Sequence, residues 1–174
     1  PSLVGSEMCI RDRRWPSVDI FIPTYNEPLD VVKPTVYAAL TVDWPKEKLN
    51  VYILDDGSRK EFKDFACEVG VGYIEREEHK HAKAGNINHA MGITKGDFIA
   101  IFDCDHVPVK TFLQKTMGWF LKDEKIALVQ TPHHFYSQDP FEKNLHLKEN
   151  VPNENSLFHD FIQKGNDTWN ATMF

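Results

Sequence analysis

The sequence predicts an α/β fold, a mainly parallel sheet flanked by helices, on three observations. Short apolar runs of strand length alternate with longer segments of helical period from residue 18 onward, the pattern of βαβ units. The segments that follow the runs are polar and rich in carboxylates. With 174 residues and 41% hydrophobic content, the chain is long enough for one domain with a real core.

The elements follow in order. Val18–Ile22 is β-branched and aromatic and reads as the first strand. Leu29–Leu40 brings Leu29, Val32, Val36 and Leu40 to one face at helical spacing. Val51–Leu54 is the second strand, and Lys60–Val69 a helix with Phe62, Phe65, Ala66 and Val69 in register. Val71–Ile74 is a third, short strand, followed by a helix over Ala84–Ile93. Phe98–Phe102 is the fourth strand, Thr111–Leu121 the last clear helix, and Ala127–Gln130 a fifth strand candidate. Trp119 falls on the apolar arc of the Thr111–Leu121 helix and is expected in the core. Beyond Gln130 the pattern breaks into Thr131-Pro132-His133-His134 and a polar, Asn-rich stretch, with short helices expected near 140–147 and 157–163. Residues 1–13 (PSLVGSEMCIRDR) show no periodicity and are expected to be non-native, which leaves 14–174 as a partial domain truncated at its C-terminus.

Composition narrows the function. Lys+Arg 20 against Asp+Glu 26 gives a formal charge of −6, and no basic stripe interleaves with aromatics, so nucleic acid is excluded as a partner. Cys9, Cys67 and Cys104 form no CxxC pair, which argues against a zinc site and for a reducing compartment. No apolar run approaches the ~20 residues needed to span a bilayer.

In an open parallel sheet, ligands bind beyond the carboxyl ends of the strands, so the residues just past each run carry the chemistry. Asp103 and Asp105 follow Phe98–Phe102, and residues two apart in extended backbone share a side, with Cys104 turned the other way. Two carboxylates held together repel each other, by roughly 4 kcal/mol at ~4 Å and an effective dielectric of ~20, unless a cation sits between them. A divalent Mg²⁺ or Mn²⁺ bridging to a diphosphate is the natural occupant. Asp55 and Asp56, in a tight Asp-Asp-Gly-Ser turn, can accept hydrogen bonds from a base or ribose. Lys83, at the start of a helix, places an ammonium beside free N–H groups that favour phosphate. Thr24, Tyr25 and Glu27 follow the first strand, and they offer an aromatic face for a base and a carboxylate for a pyrimidine N–H. His133 and His134 either flank the site or bond to backbone. Each feature alone also fits a plain turn, helix cap or solvated surface; together they supply what a nucleotide-sugar diphosphate requires.

The residues that carry a resemblance are Asp19-Ile20-Phe21-Ile22-Pro23-Thr24-Tyr25-Asn26-Glu27-Pro28, Val51-Tyr52-Ile53-Leu54-Asp55-Asp56-Gly57-Ser58, His81-Ala82-Lys83-Ala84-Gly85-Asn86-Ile87-Asn88-His89-Ala90, Phe102-Asp103-Cys104-Asp105-His106-Val107-Pro108, Gln130-Thr131-Pro132-His133-His134-Phe135 and Gly165-Asn166-Asp167-Thr168-Trp169-Asn170-Ala171-Thr172. In this order they resemble glycosyltransferase family 2, of the Rossmann-like GT-A fold, and within it the bacterial cellulose synthase catalytic subunits. The resemblance implies that Thr24, Tyr25, Glu27, Asp55 and Asp56 surround the uridine of a UDP-sugar, that Lys83 neutralises its diphosphate, and that Asp103 and Asp105 form the DxD pair that binds nucleotide and metal. The implied reaction is inverting transfer of glucose from UDP-glucose to a growing β-1,4-glucan acceptor. The family's Thr-Glu-Asp general base and its Gln-x-x-Arg-Trp motif are expected beyond Phe174, and its membrane helices and cyclic di-GMP-binding domain are expected outside these residues. The whole protein is accordingly expected in the inner membrane, in a complex with a periplasmic subunit, with this domain on the cytoplasmic side and itself soluble. Two other readings stay open: a haloacid dehalogenase-type phosphatase using Asp103 and Asp105, and an inert nucleotide-sugar-binding fragment.

Overall fold

The computed structural model describes residues 15–77 and 80–131. Among them the chain forms β1 (Val18–Thr24), α1 (Leu29–Leu40), a 3₁₀ turn (Lys46–Lys48), β2 (Leu49–Asp55), α2 (Lys60–Val69), β3 (Gly72–Ile74), α3 (Ala82–Ile93), β4 (Phe98–Ile101) and α4 (Phe112–Lys122). The first two helices match their expected bounds. Gly70 explains one of those ends: it adopts the left-handed φ of 75° that closes α2, a conformation glycine takes without steric cost.

The strands form one parallel sheet in the order β3-β2-β1-β4. β1 is central and buried along its whole length, since it has a partner on each side and side chains covering both faces. Alternation along the strand divides the core. Val18, Ile20 and Ile22 pack with Val32, Val36 and Ala39 of α1, Phe62 and Phe65 of α2, and Leu113 and Met117 of α4. Phe21 faces the other way, with Leu54, Ile74 and Ala90 of α3. Burying each of these large side chains contributes about 1.5–3 kcal/mol.

This order sets the position of any ligand site. After β1 the chain builds outward to β2 and β3, then returns to place β4 on the opposite side of β1. That reversal opens a crevice outside the carboxyl ends of β1 and β4, where open α/β sheets bind ligands.

Two expectations are corrected. Ala127–Gln130 is irregular rather than a strand. A strand exists only through its ladder partners, this segment has none among the described residues, and Leu128 within it is 75% exposed. Trp119 is 39% exposed and not in the core, because α4 turns Leu113, Thr116 and Met117 inward and leaves the indole at the rim, with the Lys122 ammonium over its face. The chain divides after Ala127 into two compact units, and the described residues of the second, 128–131, carry no regular element. Residues 1–13, the helices expected near 140–147 and 157–163, His133 and His134 lie outside the described residues. No helix among the described residues is long and apolar enough to cross a membrane.

Candidate functional site

The carboxyl end of β1 turns sharply at Thr24. The Thr24 hydroxyl and the Tyr25 backbone N–H both donate to Glu27 Oε2, at 2.9 and 2.8 Å. Burial pushes the Glu27 carboxyl up, but the hydrogen bonds from Tyr25, Thr24 and the neighbouring backbone outweigh it and hold the group below the ordinary value. Glu27 is therefore a carboxylate at neutral pH. Tyr25, freed by this turn, is 56% exposed. Together with Pro23, Thr24, Glu27, Asp56, Ala82, Lys83 and Asn86 it lines a cleft of about 320 Å³.

The two acids at the end of β2 diverge. Asp55 is fully buried and accepts from Gly57 N (2.9 Å), Arg59 N (2.7 Å), the Arg59 guanidinium (2.9 and 3.1 Å) and the Tyr73 hydroxyl (3.0 Å). Burial first, then the Asp55 charge, pushes the Tyr73 phenol up, so it remains a donor. Arg59 also reaches the Glu27 carbonyl (2.6 Å) and Thr24 Oγ1 (3.0 Å), tying the β1 and β2 turns together. Asp55 thus holds the rim from behind, whereas Asp56 lines the cleft and is gripped by Arg76 through Nε (2.5 Å) and Nη2 (2.8 Å).

Lys83 stands in the first turn of α3, which begins at Ala82, two residues earlier than expected. Its ammonium lines the cleft and pairs with Asp103 beyond β4. Asp103 and Asp105 lie against the two nitrogens of one imidazole: His106 Nδ1 is 3.5 Å from Asp103 Oδ2, and Nε2 is 3.9 Å from Asp105 Oδ1. Between them Cys104 turns into the core, its carbonyl accepting from the Thr35 hydroxyl at 2.9 Å. The carboxylates of Asp103 and Asp105 are 39% and 64% exposed.

All of these groups sit at one rim of the sheet, and Lys83 links the cleft to the β4 acids. Among the described residues no three His, Cys, Asp or Glu side chains converge tightly enough to hold a metal by themselves. Two accessible carboxylates fit an ion that keeps its other positions for water and phosphate, the habit of Mg²⁺, which rarely relies on an all-protein cage.

Sequence reasoning missed Arg59, Arg76 and Asn86. Arg59 lies four residues after Asp55, and Arg76 just past β3, where the strand-end rule points. Asn86 is three residues after Lys83 on α3, buried, and donates to the Leu54 carbonyl at 2.9 Å, so it clamps α3 to β2.

Comparison with known proteins follows the geometry. The sequence model of glycosyl transferase family 2 matches residues 19–174. The cellulose synthase catalytic subunit (UDP-forming) of Pseudomonas fluorescens is 59% identical over 92% of this chain and 22% of its own length. Cellulose synthase 2 of Novacetimonas hansenii is 58% identical over 92% of this chain and 10% of its own. The chain therefore spans between about a tenth and a fifth of the length of these relatives. Among solved structures, TarS of S. aureus in complex with UDP-GlcNAc aligns with 61% of this chain and 31% of its own at TM-score 0.54 and 18% identity. Glucosyl-3-phosphoglycerate synthase of Mycobacterium tuberculosis, in complex with Mn²⁺, UDP and phosphoglyceric acid, covers 72% of this chain and 45% of its own at TM-score 0.54 and 20% identity. These likenesses establish the GT-A fold. The family model and the curated relatives leave the phosphatase alternative without support. With its parallel sheet, its acidic rim at the strand reversal and a match from residue 19 to 174, the chain belongs to glycosyltransferase family 2.

Proposed function

We propose that this chain is the donor-binding portion of a cellulose synthase-type glycosyltransferase, and that it binds UDP-glucose at the rim between β1, β2 and β4. The observation that carries the reading is Lys83, whose ammonium lines the cleft beside Tyr25, Glu27 and Asp56 and also pairs with Asp103. A single cation between a base-sized cleft and a pair of accessible carboxylates is where a diphosphate belongs. The names of the relatives, UDP-forming cellulose synthases, point to uridine in the cleft and glucose beyond it.

In this reading Tyr25 stacks on the base, and Glu27 and Asp56 accept from its N–H and from the ribose. Thr24 and Asp55 hold the turns that present them. Lys83 and the α3 N-terminus bind the diphosphate. Asp103 and Asp105 would hold a divalent ion, Mg²⁺ or Mn²⁺, which supplies charge neutralisation for the departing UDP. Inverting transfer to the 4-hydroxyl of a β-1,4-glucan also requires a general base, and in this reading the described rim residues are all committed to the donor. The isolated chain accordingly binds donor and does not polymerise glucose. In the whole protein we place this domain on the cytoplasmic side of the inner membrane, and the whole protein in a complex with a periplasmic subunit on the opposite side.

Calorimetry with UDP in the presence and absence of Mn²⁺ tests the reading. Binding that strengthens with Mn²⁺ is expected, and Asp105→Asn should remove the Mn²⁺-dependent gain, about tenfold or more for a lost charge-assisted contact, while leaving the thermal midpoint unchanged. A folded chain that takes up no UDP, or robust polymer synthesis by it, overturns the proposal.

A further inference from the structure

We infer that Arg76 is a positioning residue that locks the base side of the cleft to its diphosphate side, an inference that rests on the donor-site reading above. Arg76 is only 8% exposed, and its planar fork bonds in two directions. Nε and Nη2 grip Asp56, the acid lining the cleft, while Nη1 donates to the Lys80 carbonyl at 2.8 Å and Nη2 to the Ala82 carbonyl at 2.9 Å.

The segment bracketed by those two carbonyls is strained. His81 and Ala82 both take left-handed backbone angles, with φ of 63° and 43°. For residues with a Cβ this conformation is disfavoured and persists only when its surroundings enforce it. The enforcing contacts here are the guanidinium and Gly85. A Cβ at Gly85 would collide with the Lys80 carbonyl and stand 2.6 Å from Arg76 Nη1, so only glycine lets the turn fold back onto the arginine. Lys83 is the next residue after this turn, and its backbone direction follows from the turn's geometry.

The Asp56 side fixes the guanidinium from the other end. Hydrogen bonding to the Asp56 carboxylate holds the Arg76 pKa above its ordinary value, so the charge is permanent. A base seated against Asp56 therefore finds the turn, and through it the Lys83 ammonium, already placed for the diphosphate. Lysine at position 76 keeps the charge but cannot grip a carboxylate at two atoms while bridging two carbonyls.

The test is a double-mutant cycle on the full 174-residue chain with Mn²⁺, reading UDP affinity by calorimetry and uridine affinity by ligand-observed NMR. Arg76→Lys should leave uridine binding within about twofold and weaken UDP about tenfold, and Lys83→Ala, which costs about tenfold in the unaltered chain, should cost less than about twofold in the Arg76→Lys background. Equal losses for uridine and UDP, or a Lys83→Ala cost that is the same in both backgrounds, would overturn the inference. If Arg76→Lys fails to fold, the Asp56→Asn/Arg76→Gln pair removes both buried charges together, and its readout is the Lys83→Ala cost alone, with the same expected and overturning values. An unaltered chain that does not bind UDP defeats the donor-site reading and this inference with it. UDP binding that depends on Lys83 but adds independently of Arg76 defeats this inference only.

Discussion

The two rims of the sheet both carry buried acid, and they balance it differently. At the amino end, Asp19 is fully buried and accepts from the Asn50 amide (2.8 Å) and the Gly96 backbone N–H (2.7 Å), both neutral donors fixed by the backbone or by a short side chain. At the carboxyl end, Asp55, Asp56 and Asp103 are each met by a cation on a long side chain, from Arg59, Arg76 and Lys83. Neutral, rigid donors make a joint that has nothing to exchange. Of the three cations, Arg59 and Arg76 are held by several acceptors each, and Lys83 is the one exposed enough to trade its partner for an incoming diphosphate. The difference separates a rim with nothing to exchange from a rim where one ion pair lies open, and exposure agrees: the Lys83 and Asp103 side chains are 53% and 39% exposed, while Asp19 has no exposed surface.

Several substitutions can break or sharpen this contrast. The largest effect is expected for Asp55→Ala, which leaves the partly buried Arg59 guanidinium without its counter-charge and the Tyr73 hydroxyl without its nearer acceptor; breaking such a buried pair costs about 3–5 kcal/mol, measured by urea unfolding. Asp19→Ala should cost less, about 1–3 kcal/mol, because only neutral donors lose their partner, and UDP affinity of the folded fraction should be unchanged. A loss of UDP binding in folded Asp19→Ala would end the division between rims. Glu27 gives a pH test. Its pKa is lower folded than unfolded, so the stability it contributes is present above the ordinary glutamate value of 4.5 and lost as pH falls through the lower, folded value. The difference in thermal midpoint between the unaltered chain and Glu27→Gln should therefore be constant near neutrality and vanish in acid; a difference that grows in acid has the wrong sign. Trp119→Phe should be the mildest, within about 0.5 kcal/mol and without effect on UDP, since the indole sits at the surface.

Local pattern revealed the central sheet because burial leaves a local signature. β1 and α2 were legible from consecutive or periodic apolar residues, and Gly70 marks where α2 stops. Ala127–Gln130 misleads for the same reason: its composition suits a strand, but composition cannot report whether a partner is present. Trp119 shows a second limit, since an apolar arc on a helix is wider than the strip that its neighbours cover. At the site, the strand-end rule found Asp55, Asp56, Asp103 and Asp105 and placed Lys83 beside them, while the cations that balance Asp55 and Asp56 escaped notice. The Arg76–Asp56 pair joins residues twenty positions apart across β3, and no spacing within a single element encodes it.

Cys104 offers a practical consequence. It is flanked on both sides by accessible carboxylates, yet its own side chain is packed among Phe102, Leu113 and Met117. A thiol reagent added to the native fold should react at exposed Cys67 and spare Cys104. Alkylation at Cys104 would then report the moment the acidic corner comes away from the body of the protein, giving a chemical gauge of that corner's integrity without any added label.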